Sequence, residues 1–165
     1  MKKLFIFLFI PFHLIAQKSV ILDVLPGRVN TNQAELNFIQ INDTLAFYTS
    51  ITKGEHYFSS IYYSIKNSNK WISGKYSDYN SDIYETGDIT FLNDSVGYFS
   101  LCDDDKCKVI SFLNNDFNTL DKVNAFGSRN IQPHITHLNN QEVLYFVSDR
   151  NGGFGGLDIW LSIID

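Results

Sequence analysis

Several groups of residues in this 165-residue chain have types and spacings that could do chemistry. Asp149, Asn151 and Asp158 offer side-chain oxygens around the loop Gly152-Gly153-Phe154-Gly155-Gly156, and oxygen-rich loops are what hard cations such as calcium take. The spacing does not match a helix-flanked calcium loop, so Asp149 and Arg150 are read as bonding to backbone and to each other at a sheet corner. The glycines invite comparison with a phosphate cradle. Such a cradle opens a helix and carries a lysine, whereas this loop leads into a strand and has none. They are read as turn residues needing positive φ. Asp103-Asp104-Asp105 is likewise read as a solvated hairpin tip.

Cys102 and Cys107 are the two cysteines of the chain. Flanking strands would place them opposite one another across a short loop, where an oxidising compartment allows a cross-strand disulfide. A zinc centre would need further thiol or imidazole ligands. Of the histidines, His134 and His137 are an odd number of residues apart, which puts them on opposite faces of a strand, and His56 beside Glu55 reads as an exposed loop. No serine occupies a nucleophile-elbow context, although a Ser-His-Asp triad assembles through space and leaves no linear signature. The expectation is a protein with no cofactor, no metal and no catalytic residues.

The elements that must position these residues are strands. Aromatic residues make up 15% of the chain and many alternate with polar ones, the pattern of half-buried strands. Beyond the first residues no long helical periodicity occurs, so the fold class is all-β. Three segments share one pattern, in which a strand is followed by Asn and a polar residue and then by an aromatic-rich strand. They centre on Asn42-Asp43, Asn93-Asp94 and Asn139-Asn140, residues that suit tight turns by tolerating left-handed backbone and bonding locally. A third strand follows each: Ser60–Ser64, Lys108–Phe112 and Asp158–Ser162. Fourth strands are expected near Trp71-Ile72-Ser73 and near Thr119–Val123. Four antiparallel strands recurring at such a spacing predict β-propeller blades, in repeats of approximately 31–79, 80–126 and 127–165. The alternative is a β-sandwich.

The stretches Asn130-Ile131-Gln132-Pro133-His134-Ile135, Leu144-Tyr145-Phe146-Val147-Ser148-Asp149-Arg150 and Gly155-Gly156-Leu157-Asp158-Ile159-Trp160 together resemble a TolB-type (WD-repeat-like) β-propeller repeat. Trp71-Ile72-Ser73 is similar to that family's Trp-containing last strand. The earlier copies depart from the pattern at the corner, where Ile51-Thr52 and Cys102-Asp103 replace Asp149-Arg150. The resemblance implies an exported protein of a Gram-negative envelope, where such repeats often accompany OmpA-like peptidoglycan-binding domains. It also implies a recognition surface at the blade corner and loop, formed by Ser148, Asp149, Arg150, Asn151, Gly152, Gly153 and Asp158.

The start of the chain agrees with export. Met1-Lys2-Lys3, the apolar run Leu4–Ala16 and the polar Gln17-Lys18 read as a signal peptide over residues 1–16, giving a periplasmic or secreted protein. The run is short for a bilayer span of about 20 residues, and an uncleaved anchor is the rival reading. Loss of Lys2 and Lys3 takes the formal charge from −5 to −7. Such an acidic surface repels nucleic acid. The third repeat has no fourth strand before Asp165, while residues 18–25 form an orphan strand ahead of the first. That strand could close the ring, either in a shortened version of a larger envelope protein or in a six-bladed homodimer, since three blades are below the usual range of about four to eight. The functional expectation is a non-enzymatic module binding an envelope protein or peptidoglycan-associated partner. Its alternatives are a propeller hydrolase acting on envelope glycans or peptides, and a truncated remnant.

Overall fold

A computed structural model of the chain describes residues 22–54 and 57–164. The signal segment 1–16, residues 18–21 of the orphan strand, and His56 lie outside them. The described residues contain no helix, and twelve strands form three antiparallel sheets. The first holds β1 (Ala34–Gln40), β2 (Leu45–Lys53), β3 (Tyr57–Asn67), β4 (Lys70–Trp71) and β5 (Lys75–Tyr76), in the order β1-β2-β3-β4 with β5 also on β3. The second is β6 (Glu85–Phe91), β7 (Val96–Asp103), β8 (Lys106–Leu113) and β9 (Asp116–Thr119), in sequence order. The third is β10 (Asn130–Leu138), β11 (Gln141–Ser148) and β12 (Asp158–Ile164).

The outermost strands depart from expectation. After Trp71 the chain bends at Gly74, whose close approach to the Tyr48 ring leaves no room for a Cβ. The expected single strand therefore becomes two short pieces on β3. In the second repeat the fourth strand lies earlier, at β9. Leu120 accepts from the backbone N–H groups of Val123 and Asn124 at 3.0 and 2.7 Å, so the segment expected as strand is a turn. Leu22–Leu25, the described part of the orphan strand, belongs to no strand. Beyond it the Pro26 carbonyl accepts from the Trp71 N–H at 3.0 Å and the Arg28 N–H donates to the Trp71 carbonyl at 2.9 Å.

The three turn asparagines solve one problem in two ways. The Oδ1 atoms of Asn42 and Asn93 accept the N–H groups of Leu45 and Val96 at 3.0 Å each. Asn139 and Asn140 instead take left-handed backbone, with φ of 51° and 63°, which asparagine tolerates better than most residues.

Each sheet's first strand carries a bulge at the same place, between Leu36 and Ile39, Gly87 and Thr90, and Ile131 and His134. Within these bulges Asn37, Asp88 and Gln132 have φ of 51°, 52° and 53°. A bulge turns the backbone out of its own ladder, and the freed N–H goes to the preceding sheet. That of Asp88 donates to Thr49 Oγ1 at 3.0 Å, and that of Gln132 to Ser100 Oγ at 3.0 Å.

A second repeated contact ties the sheets together. Where the fourth strand leaves the third, the backbone of Ile61 and of Val109 needs partners, because a buried unpaired peptide group is costly. The amide of Asn80 accepts from Ile61 N–H at 2.7 Å and donates to its carbonyl at 2.6 Å. Asn124 does the same for Val109, at 2.8 and 2.7 Å. Both asparagines lie in linkers leading to the next sheet, and the residue before each fills the joint. Tyr79 centres an aromatic cluster with Phe47, Phe91, Phe99 and Phe112. Val123 packs with Tyr98, Val109, Leu144 and Phe146.

Replacing Asn124 by Ala leaves the N–H and carbonyl of Val109 without these bonds, and replacing Asn80 leaves the Ile61 N–H unpaired while its carbonyl keeps the Ser77 N–H at 3.1 Å. Each variant is expected to lose about 1–3 kcal/mol, read as a lower urea midpoint at unchanged slope. An unchanged midpoint in both would remove the joint from the account of stability.

Candidate functional site

The expected corner residues divide into those that build the corner and those that face solvent. Ser148 and Asn130 are fully buried, and Ser148 donates to Asn130 Oδ1 at 2.8 Å. Arg150 lies over the rings of Phe146 and Trp160, at 4.6 and 5.3 Å from their centroids. Its guanidinium donates to the Val123 carbonyl, to Asn130 Oδ1 at 2.8 Å and to Ser148 Oγ at 3.1 Å. Burial lowers its pKa, yet an arginine stays charged at neutral pH. Arg150 therefore ties the second-to-third linker to the third sheet.

Asp149 and Asp158 order the local backbone. Asp149 Oδ1 accepts from Arg129 N–H at 2.7 Å, and Asp158 Oδ2 accepts from Phe154 and Gly155 N–H at 2.9 and 3.1 Å. Among the loop glycines only Gly152 has left-handed backbone, with φ of 100°. Gly153 serves a different need, since a Cβ there would meet the Asp158 carboxylate, while Gly155 and Gly156 face open space. Positive φ thus explains one of the four glycines. Asn151, Gly152 and Gly153 are exposed. Cys102 and Cys107 face each other across β7 and β8 and are joined as a disulfide.

Two clefts adjoin these elements. One, of about 690 Å³, lies between the β7–β8 hairpin tip and the linker before β10, and Asp149 reaches it. Lys106, Lys108 and Arg129 bring three cations to it, Asp105 contributes a second carboxylate beside Asp149, and Phe126 stands exposed on its wall. Arg129 Nε is buried with no hydrogen-bond partner among the described residues.

The other cleft, of about 490 Å³, lies where the three bulged strands meet. Asn37, Asp88 and Gln132 line it together, with His134 and Phe38. The Asp88 carboxylate accepts from Asn37 Nδ2 and, at 3.3 Å, from Ser100 Oγ. Burial raises its pKa above the usual 3.8, partly offset by the Ser100 bond. Sequence reasoning missed this cluster. Its signal was positional, with Asn37 and Asp88 each five residues before a turn asparagine and Gln132 seven before Asn139. His134 lies in this cleft while His137 is exposed, 3.9 Å from Glu142. No group of three or more His, Cys, Asp or Glu residues converges as a metal centre among the described residues.

No protein-family model, curated protein or solved structure matches the chain.

Two variants probe the corner and the bulge cluster. Arg150→Lys keeps the charge but loses the planar fork that reaches three oxygens and stacks on two rings. Its cost is expected at about 1–3 kcal/mol, read by thermal or urea unfolding, and equal stability would make the fork dispensable. Asp88 has a folded pKa above its unfolded value, so its protonated form favours folding and that contribution is lost as pH rises through the folded pKa. Asp88→Asn is therefore expected to be more stable than the parent at pH 7, the gap closing towards pH 3. A gap independent of pH would assign the effect elsewhere.

Proposed function

We propose that this chain is an exported, non-enzymatic segment of a TolB-type β-propeller that binds a carboxylate-bearing component of the cell envelope. The observation that carries the reading is the cleft holding Lys106, Lys108 and Arg129 on a protein of net charge −5. Cations gathered at one concave site of an acidic protein select an anionic partner and exclude repelled ones. Loops on a rigid sheet scaffold are also where recognition residues concentrate. The three sheets, each opening with a bulged strand and joined by the same two polar contacts, support reading the repeats as blades. Export rests on the basic, apolar, then polar order of residues 1–18. Among the described residues no helix is long and apolar enough to cross a membrane.

The test is cosedimentation of the exported protein with purified envelope and with peptidoglycan. Bound protein is expected, with the fraction several-fold lower for the double variant Lys106→Glu, Lys108→Glu and falling with added salt. Equal binding by parent and double variant removes the cleft from the proposal. Turnover of any member of a panel of envelope glycans and peptides replaces the binding reading with a hydrolase.

A further inference from the structure

The two joints described above show what covers each face of a sheet, and a third joint is present as two separated halves. Ile61, Val109 and Ile159 occupy one position, opposite Thr49, Ser100 and Val147. Ile61 and Val109 are fully buried beneath the next sheet, whereas Ile159 is 79% exposed, with Leu161 and Ile163 beside it at 60% and 49%. Among the described strands β12 pairs with β11 alone. At Ile159 the third sheet thus carries an apolar position, and along β12 a strand edge, that are covered in the other two, whereas Ile163 is exposed like its equivalents Ile65 and Leu113.

The matching half stands at the other end. Val29-Asn30 corresponds to Tyr79-Asn80 and Val123-Asn124. Val29 packs on Ala46 and Tyr48 as Val123 packs on the equivalent Leu144 and Phe146. Asn30 is exposed, and its amide makes none of the bonds that Asn80 and Asn124 make. Leu22–Leu25 precedes Asn30 by the spacing at which Asp116–Thr119 precedes Asn124, and Leu22 and Val24 are 90% and 71% exposed.

We infer that the third joint forms between two copies of this chain, each laying Leu22–Leu25 on the edge of the other's β12 and clipping Asn30 to the backbone of Ile159. Carrying the β8–β9 register across pairs Trp160 with Leu25, Leu161 with Val24, Ser162 with Asp23 and Ile163 with Leu22. Three of these four pairs are apolar. A second copy is the occupant because each half supplies what the other lacks, Leu22, Val24 and Asn30 standing exposed at one and Ile159 at the other. Two such joints satisfy both halves of both copies. A head-to-tail contact of this kind ends growth only when the ring closes. The Thr49 and Ser100 hydroxyl contacts are not repeated, since Val147 stands in their place, so the joint rests on strand pairing, clip and apolar face. The inference depends on reading the sheets as equivalent blades, and the Asn80 and Asn124 variants test that reading separately.

The full chain is expressed for export, so that any processing takes place, and its mass is measured by light scattering across a dilution series. Twice the single-chain mass is expected. Val24→Asp with Asn30→Ala at the head, or Leu161→Asp at the tail, should each give a single-chain mass with folding retained, because these residues are exposed in the monomer. Mixing the head and tail variants should restore pairs through the one intact joint. A Val24→Cys chain mixed with a Leu161→Cys chain should form a covalent heterodimer on oxidation, whereas Val24→Cys with Ser162→Cys should not, since neighbouring residues of a strand face opposite ways. A single-chain mass for the parent, a mass above two copies, insensitivity to the head variants, or no covalent heterodimer from the Val24→Cys and Leu161→Cys mixture each overturns the proposal. If Asn80→Ala and Asn124→Ala are destabilised while the parent is monomeric, the repeat reading stands and the pairing alone fails.

Discussion

The fold depends on how a third strand is completed after the fourth strand leaves it. A peptide group buried under a neighbouring sheet must bond to something, and here the partner is a side-chain amide. Asn80 and Asn124 each present one acceptor and one donor in the geometry of a missing peptide, so the linker stands in for a strand. This contact places the linker, and the linker places the residue that fills the joint, Tyr79 or Val123. The next sheet then begins at a fixed distance and angle, and the two clefts lie where successive sheets are held in this way.

The bulges are the other half of the constraint. Extra residues in β1, β6 and β10 turn one N–H out of the ladder, and in two cases a hydroxyl of the preceding sheet receives it. The same geometry brings Asn37, Asp88 and Gln132 into one cleft. Asp88 is held there as a largely buried carboxylate whose charge costs stability at neutral pH, and its bonds from Asn37 and Ser100 offset that cost in part. The corner residues divide differently. Arg150 is occupied by structural bonds, while Arg129, Lys106 and Lys108 face the neighbouring cleft.

Much of this organisation was legible in the sequence because strands and tight turns leave local marks. Alternating aromatics gave away β2, β7 and β11, and the turn asparagines marked the hairpins between the first two strands of each sheet. What escaped was non-local. The clip asparagines are ordinary loop residues until Ile61 and Val109 come near them. The bulge residues are an Asn, an Asp and a Gln, with no shared identity to reveal a shared backbone conformation. The fourth strands were misplaced because their extent is set by where the chain must bend to enter the next sheet, and Gly74 and Leu120 carry no strong marker of that bend. The loop glycines were over-read for a related reason. Composition does not separate a glycine that needs positive φ from one that lets a carboxylate approach or one that is merely tolerated.

The recurrence of one joint has a consequence for how such a protein changes over time. Because a repeat contributes a clip at its start and a receiving strand at its end, whole repeats can be gained or lost without inventing a new contact. The increment is set by the spacing of the clips, 44 residues from Asn80 to Asn124. Insertions of a few residues are confined to hairpin tips, such as the longer hairpin that ends in the two-residue turn Asn139-Asn140, because anything nearer the joint would pull the clip out of reach. Length in this architecture is therefore quantised, and selection acts on a unit of one sheet plus one linker.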